Sequence, residues 1–208
     1  YHPDFEAYFA AKLGLFDRVL PRGAVAVINM DDPQGARVRL LAEARGQRVI
    51  AVGRAEACEL RLIGQRFDAT GQDLLFAWGG RSHKVRLDLI GGFQAHNALV
   101  AAGLAIGSGS DAAEVIAALP GLETVRGRME RAATRGNGAQ VFVDYAHTPD
   151  ALATALAALR PHVMGRLIVA FGTGGPGHQR ADRGQRVDFL EENGVDSAGN
   201  RDFNPVLL

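Results

Sequence analysis

The amino-acid sequence predicts an α/β fold made of two consecutive segments, each with strands of a parallel sheet. Short apolar runs at residues 24–29 and 48–52 are typical of strands buried on both faces, and a helical pattern separates them. The strand–helix–strand order returns at residues 139–144, 151–160 and 166–171. Strands that alternate with helices indicate parallel pairing, because the helix carries the chain back to the same end of the sheet.

An amphipathic helix is predicted at the start of the first segment. Asp4 is a suitable N-cap, and the helix is expected to end at Pro21. The apolar face of this helix has helical spacing and consists of Phe5, Phe9, Leu13 and Phe16. Pro33 suits the first turn of the helix between the two strands, which we expect to run to about residue 44.

The middle of the chain changes character. Three alternating runs separated by glycine-containing turns predict an antiparallel meander, at residues 60–67, 74–78 and 84–89. An alanine-rich helix follows at residues 93–106, with a buried face predicted at Phe93, Val100 and Leu104. Asp111 and Glu114 have the spacing of a capping box and predict another helix at residues 112–119.

Composition excludes several classes of protein. The chain carries 23 basic and 23 acidic side chains, so its formal net charge is zero, which argues against a nucleic-acid binder that neutralises phosphates. No window has the apolar length that a membrane span needs, and six histidines beside one cysteine do not make a structural zinc site. With Cys58 as the single cysteine, no internal disulfide can form, and we interpret the chain as cytoplasmic.

The end of the predicted strand at 139–144 carries polar residues that local structure does not explain. Thr148 is a good N-cap and Pro149 suits the first helical position. Asp144 and His147 precede this helix at the carboxyl end of a parallel strand, where α/β folds bind ligands. The alternative interpretation is that Asp144 merely ends the strand and that His147 packs.

Five segments, in the same order and spacing, resemble the Mur ligase family over roughly residues 1–175. They are residues 6–12, 92–97, 127–130, 144–152 and 171–175. The resemblance implies the later part of the family's central ATPase domain at residues 1–126, with a parallel sheet and an antiparallel meander. The first βαβ of its Rossmann-like C-terminal domain would follow at residues 127–175, and a divergent tail, which we expect to be poorly ordered, at residues 176–208.

The same resemblance implies an activity. The Thr-Pro-Asp sequence at residues 148–150 resembles that of one branch of the family. This branch adds meso-diaminopimelate or L-lysine to UDP-MurNAc-L-Ala-D-Glu in peptidoglycan precursor synthesis. ATP phosphorylates the carboxylate, and the amine then displaces phosphate from the acyl-phosphate. ATP and Mg²⁺ are therefore the implied cofactors, and the UDP-MurNAc-dipeptide and the diamino acid are the implied substrates.

Residue roles follow from the resemblance. Lys12 corresponds to the lysine that the family carbamylates, whose N6-carboxylate helps to hold Mg²⁺; partial burial would favour the neutral amine this needs. Asn97 is expected near the adenine, Arg128 beside the phosphates, Asp144 at the ribose hydroxyls and His147 near the nucleotide. The alternatives are that Lys12 is a snorkelling lysine, that Asn97 is only a polar residue at a helix start, and that Arg128 is a solvated charge between the two segments.

Three further polar residues and one turn receive no assignment. A plain turn explains Asn29 and Asp31 after the first strand, and His96 is interpreted as a packed or exposed histidine. The glycine-rich turn at residues 172–175 is suited to cradle an anion with its N–H groups, but a structural loop explains it equally well.

The phosphate-binding loop of the family, Gly-x-x-Gly-Lys-Thr, does not occur in the sequence. The Asp-Asn-Pro-Arg motif that selects the incoming amino acid does not occur either. We therefore interpret the chain as an internal fragment and expect no ligase activity from it alone. The alternatives are a fragment of a folylpolyglutamate or cyanophycin-type ligase, and a non-catalytic nucleotide-binding module.

Overall fold

A computed structural model describes residues 2–170 and the backbone of two short strands at 190–191 and 206–207. The chain divides into two compact units. The first unit contains Tyr1–Arg66, Gln72–Asp88 and Gly92–Leu122. The second unit contains Phe67–Gly71, Leu89–Gly91 and Glu123–Leu208. None of the helices in the described residues is long and apolar enough to cross a lipid bilayer.

The first unit is built on a five-stranded sheet. Its elements are α1 (Phe5–Gly14), a π-helical turn (Leu15–Val19), β1 (Val25–Asn29), α2 (Gly35–Ala44), β2 (Arg48–Gly53), β3 (Leu60–Asp68), β4 (Gly71–Trp78), β5 (Arg81–Leu87), α3 (Phe93–Gly107), α4 (Ala112–Ala118) and a 3-10 turn (Leu119–Gly121). The strand order is β1-β2-β3-β4-β5. β1 with β2 and β2 with β3 are parallel, whereas β4 with β5 is antiparallel. The predicted α/β architecture with parallel strands and a meander is thus confirmed.

One helix boundary and one strand pairing differ from the sequence prediction. The helix after β1 begins at Gly35 and not at Pro33, because Asp32 closes a turn there. The Asp32 carboxylate accepts from the N–H of Gln34 at 2.7 Å, and its carbonyl accepts from the N–H of Gly35 at 2.9 Å. The first strand of the predicted meander, β3, also belongs to the parallel part of the sheet through its pairing with β2.

The predicted apolar face of α1 is only partly correct. Phe9 is buried, and the Arg37 guanidinium lies 4.5 Å from its ring centroid. Phe5 stacks on Phe9 but remains 55% exposed. Asp4 caps the helix as predicted, because its carboxylate accepts from the N–H of Ala7 at 2.8 Å.

The buried face of α3 is not the predicted one. Phe93 and Leu104 are 38% and 53% exposed, and the helix packs on β1 and β2 through small residues. The buried residues of α3 are Leu99 and four small residues, Ala95, Ala98, Ala102 and Gly103. A Cβ at Gly103 would lie 2.9 Å from Cγ1 of Val27, so the helix approaches the sheet more closely than a larger residue allows.

The second unit contains a second sheet. Its elements are β6 (Glu130–Thr134), β7 (Gln140–Val143), α5 (Pro149–Leu159), a 3-10 turn (Arg160–His162), β8 (Leu167–Val169), β9 (Leu190–Glu191) and β10 (Val206–Leu207). β10 lies between β7 and β8 and is parallel to both, so the predicted strand–helix–strand unit β7-α5-β8 is confirmed. β6 was not predicted, and it pairs with β7 in antiparallel orientation.

One hydrophobic cluster and one histidine hold the second unit together. The buried members of the cluster are Ile90, Met129, Phe142, Ala155, Leu159 and Leu167. His162 is 6% exposed; its Nε2 accepts from the N–H of Gly91 at 3.0 Å, and its Nδ1 lies 2.7 Å from the carbonyl oxygen of Asp68. This pattern assigns the imidazole as neutral with its proton on Nδ1, since a backbone N–H cannot accept.

Two sequence predictions concern residues that the structure does not describe. The glycine-rich turn at residues 172–175 lies outside the described residues, and so does the predicted divergent tail apart from the backbone of β9 and β10.

Candidate functional site

The segment after β7 is joined to the turn at residues 127–130 by side-chain and backbone hydrogen bonds. Asp144 is half-buried, and its Oδ2 accepts from the N–H of Met129 at 2.9 Å. Its Oδ1 accepts from the N–H of Ala146 at 2.9 Å, and the N–H of Tyr145 donates to the carbonyl of Gly127 at 2.8 Å. Two of the sequence segments that carried the resemblance, at residues 127–130 and 144–152, thus form one local structure.

Backbone conformation in this turn is unusual. Met129 has φ of 50°, in the left-handed region that non-glycine residues rarely adopt, and its side chain is 1% exposed. The preceding Gly127 has φ of 70°, and its N–H donates to Oε2 of Glu130 at 2.7 Å. Burial of the Met129 side chain and the bond to Asp144 stabilise a conformation that is otherwise costly by about 1–3 kcal/mol.

A cation, a phenol and an imidazole lie together on the surface beside Asp144. The Arg128 guanidinium is 5.4 Å from the ring centroid of Tyr145, and the imidazole of His147 is 5.1 Å from the same ring. Nδ1 of His147 lies 3.0 Å from the carbonyl oxygen of Tyr145, which leaves Nε2 facing away from that bond. All three side chains are exposed. Tyr145 was overlooked at the sequence level, although it lies between two predicted site residues.

This arrangement suits a polar, negatively charged ligand. Each carboxylate oxygen of Asp144 uses one lone pair on a backbone N–H and keeps another for a hydroxyl donor. Arg128 supplies an exposed planar cation that can pair with a phosphate through two parallel hydrogen bonds. The predicted residues Arg128, Asp144 and His147 are therefore neighbours within the second unit.

Asn97 lies in the first unit, near the start of α3, and is exposed. Its Nδ2 donates to Oε1 of Gln94 at 3.1 Å, one helical turn earlier. A carboxamide has two donors and one acceptor, so this bond leaves Asn97 with both kinds of group for a ligand.

Lys12, also in the first unit, does not have the partial burial we expected. It is exposed, and its Nζ lies 5.4 Å from the ring centroid of Tyr8. This exposed position above an aromatic ring differs from the partly buried one that the predicted carbamylation was expected to need. Within the described residues, no group of three or more His, Cys, Asp or Glu side chains is arranged to hold a metal ion.

The structure also places Asp31 in a contact that sequence reasoning missed. Nε2 of His96 lies 2.5 Å from Oδ2 of Asp31, and Oδ1 of Asp31 accepts from the N–H of Arg54 at 2.9 Å. Asp31 is therefore more than part of a plain turn, and His96 is partly buried with a specific partner. Burial raises the pKa of Asp31, but the hydrogen bonds from Arg54 and His96 outweigh it and lower that pKa below its usual value.

Comparison with known proteins defines the class. The Mur ligase middle domain matches residues 1–105, and the Mur ligase glutamate ligase domain matches residues 127–198. The chain therefore belongs to the Mur ligase family. The fold agrees with this, because it combines a parallel sheet, an antiparallel pair and a second sheet with a βαβ unit.

Particular relatives are similar over most of this chain. A UDP-N-acetylmuramoyl-L-alanyl-D-glutamate–2,6-diaminopimelate ligase of Zymomonas mobilis is 46% identical over 208 residues, covering 99% of this chain and 42% of its own length. The ligase of the same name from Bradyrhizobium diazoefficiens is 51% identical over 180 residues, covering 84% and 36%. The chain thus spans about two fifths of the length of the curated relatives it matches.

Solved structures agree with the fold. The structure of a ligase with the same 2,6-diaminopimelate name superposes with a TM-score of 0.68 at 29% identity and covers 86% of this chain and 36% of that one. Mycobacterium tuberculosis folylpolyglutamate synthase complexed with ADP gives a TM-score of 0.61 at 26% identity and covers 81% and 39%.

Proposed function

We propose that this chain forms the nucleotide-contacting part of an ATP-dependent ligase that adds 2,6-diaminopimelate to UDP-MurNAc-L-Ala-D-Glu. The observation that carries the proposal is the cluster of Asp144, Arg128 and His147 at the end of β7, beside the start of α5. Relatives at 46% and 51% identity bear this activity in their names. The reaction would take place in the cytoplasm and supply precursors for the cell wall.

Each residue of the cluster has a role in the proposal. Asp144 accepts hydrogen bonds from the ribose hydroxyls through the lone pairs that Met129 and Ala146 leave free. Arg128 neutralises charge on the phosphates, as expected of an exposed guanidinium next to a nucleotide. His147 offers its Nε2 to the nucleotide, while its Nδ1–H donates to Tyr145.

The chemistry needs cations because negative charge accumulates during both steps. The substrate carboxylate attacks the γ-phosphate of ATP, which gives an acyl-phosphate and ADP, and the amine of diaminopimelate then displaces phosphate and loses a proton. Pre-positioned cations stabilise such transition states. Arg128 is the residue of this chain that we assign to that task.

Magnesium is expected from the family, and Lys12 would be the contribution of this chain to its site as an N6-carboxylate. The described residues fit that role poorly, because Lys12 is exposed above Tyr8 and has no acidic cluster around it. We therefore assign no step of the reaction to a metal held by this chain.

A chimeric enzyme tests the proposal. Residues 2–170 replace the matching part of the Zymomonas mobilis relative, and the product is assayed for phosphate release that depends on ATP, UDP-MurNAc-L-Ala-D-Glu and diaminopimelate. We expect activity from the chimera and a decrease in kcat/KM of about 10- to 100-fold for Asp144→Ala, the effect of losing a hydrogen bond to a charged group.

The matched control is Asp150→Ala, which removes an exposed carboxylate from the first turn of α5 and should leave kcat/KM unchanged. A folded chimera that is inactive, or one that Asp144→Ala does not impair, would refute the proposal. Two further assays replace diaminopimelate as the amine. L-lysine tests the other amino acid that the resemblance implies, and glutamate tests the alternative of a folylpolyglutamate-type ligase. The isolated 208-residue chain is expected to release no phosphate under any of these conditions.

A further inference from the structure

Asp31 connects three elements at the carboxyl end of the parallel strands in the first unit. It follows β1, and its Oδ1 accepts from the N–H of Arg54, which follows β2, at 2.9 Å. Its Oδ2 lies 2.5 Å from Nε2 of His96, in the second turn of α3. The side chains of Asp31 and His96 are 30% and 18% exposed, so water screens the contact less than it would a surface pair.

The start of α3 depends on such contacts because it has no side-chain cap. Gly92 occupies the N-cap position without a capping hydrogen bond. The carbonyl of Gly92 accepts from Nε2 of Gln65 at 2.8 Å, which anchors the backbone of the first turn. His96 provides the corresponding anchor through a side chain, one residue before Asn97.

The orientation of Asn97 follows from that of His96. Successive residues of a helix are rotated by about 100°, so a fixed position for His96 determines the direction of Asn97. The hydrogen bond of Asn97 itself reaches only Gln94, in the same helix, and so fixes nothing relative to the sheet. The contact of His96 with Asp31 adds a side-chain bond between this turn and the ends of β1 and β2, beside the packing of α3 on the two strands.

We propose that Asp31 and His96 are positioning residues that orient Asn97 toward the base of a bound adenine nucleotide. The inference rests on the proposed function and on the sequence prediction that Asn97 lies near the adenine. Ligand-facing groups that are held in place before binding lose less conformational entropy on binding, so the pair contributes to affinity without touching the nucleotide.

Nuclear magnetic resonance on the complete 208-residue chain, titrated with ADP, tests the pair. In the wild type, the side-chain amide signals of Asn97 should shift. In His96→Ala, the apparent Kd should rise about five- to tenfold and the Asn97 shift should decrease. His96→Gln should return the Kd to within about twofold, because its amide can still donate to Asp31. Asp31→Asn should weaken binding as His96→Ala does, since it removes the negative charge and replaces one of the two acceptor oxygens by an NH2 group, which cannot accept from the N–H of Arg54 or from a protonated Nε2 of His96.

The matched control is Asp32→Asn, whose carboxylate accepts only from the N–H of Gln34 in the hydrogen bonds described and does not contact α3. A wild-type Kd and Asn97 shift in both His96→Ala and Asp31→Asn would overturn this inference alone. No response of Asn97 to ADP in the wild type would overturn the proposed role of Asn97 and the inference with it. If His96→Ala does not fold, Asp31→Asn and His96→Gln, which preserve side-chain volume and polarity, decide in the same way.

Discussion

Asp144 and Met129 are joined by a hydrogen bond of 2.9 Å from the Met129 N–H to Oδ2 of Asp144. This bond holds Met129 in a left-handed conformation with φ of 50°, while its side chain fills the core of the second unit. The carboxylate proposed to contact the ribose thus also determines the shape of the turn that carries Arg128.

Replacement of Asp144 should therefore lower stability as well as nucleotide binding. In Asp144→Ala the N–H groups of Met129 and Ala146 lose their acceptor, and we expect the free energy of unfolding to fall by about 1–3 kcal/mol. Urea denaturation measures the change. Asp150→Asn loses a carboxylate without such bonds and should change stability by less than about 1 kcal/mol. Equal effects of the two substitutions would contradict the structural role of Asp144.

The N-cap of α5 should be measurable by itself. Oγ1 of Thr148 accepts from the N–H of Ala151 at 3.2 Å, and Thr148→Ala removes this acceptor. We expect a loss of about 1 kcal/mol in the free energy of unfolding, and Thr148→Ser should retain most of the wild-type value. A Thr148→Ser variant as unstable as Thr148→Ala would show that packing of the methyl group matters more than capping.

Close packing of α3 on the sheet gives a prediction for glycine. A Cβ at Gly103 would lie 2.9 Å from Cγ1 of Val27 and 3.3 Å from Cδ1 of Leu60, so Gly103→Ala should destabilise by about 1–3 kcal/mol. Alanine favours a helix over glycine by about 1 kcal/mol, which makes a net loss informative. Gly64→Ala, where a Cβ meets nothing within 4 Å, is the control. Thermal unfolding of both variants compares them, and a stabilised Gly103→Ala would mean that the sheet adapts.

The lowered pKa of Asp31 predicts a contribution to stability that depends on pH. A carboxylate whose pKa is lower in the folded state than in the unfolded chain stabilises fully above the unfolded value, about 3.9. This contribution is lost as the pH falls through the folded value. Urea midpoints of the wild type and Asp31→Asn should therefore converge as the pH is lowered from 7 to 3. A constant difference over this range would contradict the assignment.

Cys58 should react slowly in the folded chain. Burial raises the pKa of its thiol, and the carboxylates of Asp31 and Glu59 raise it further, so little thiolate is present at neutral pH. The side chain is 8% exposed. Modification by Ellman's reagent at pH 7 should be at least about tenfold slower without urea than in denaturing urea. Similar rates in both conditions would show that the thiol is accessible in the folded state.

Local sequence patterns predicted most elements, and they failed where the signal was weak or distant. β1, β2 and α5 were found because apolar runs and caps are local. β6 was overlooked because its residues are mostly exposed and polar or small, which leaves no apolar run. The face of α3 was misassigned because alanine and glycine carry little hydrophobic signal, although they allow the closest approach to the sheet.

The candidate site shows the same division. Asp144 and His147 were predicted because they follow a strand and precede a capped helix. The contact of Asp31 with His96 joins residues 65 positions apart, and no local pattern reports such a pair. The exposure of Lys12 could not be predicted either, since it depends on what packs against α1.

The hydrogen bonds of His162 have a consequence for the order in which the chain can fold. Its imidazole bonds to Gly91 and to the carbonyl of Asp68, which lie 71 and 94 positions earlier. The second unit is therefore discontinuous along the chain, because part of it precedes α3 and α4 of the first unit and the rest follows them. It cannot complete its contacts until both parts have been synthesised. A cut after residue 122 would leave the C-terminal part without these two partners, so the segment between the 3-10 turn at Leu119–Gly121 and β6 is an unsuitable place to divide this protein.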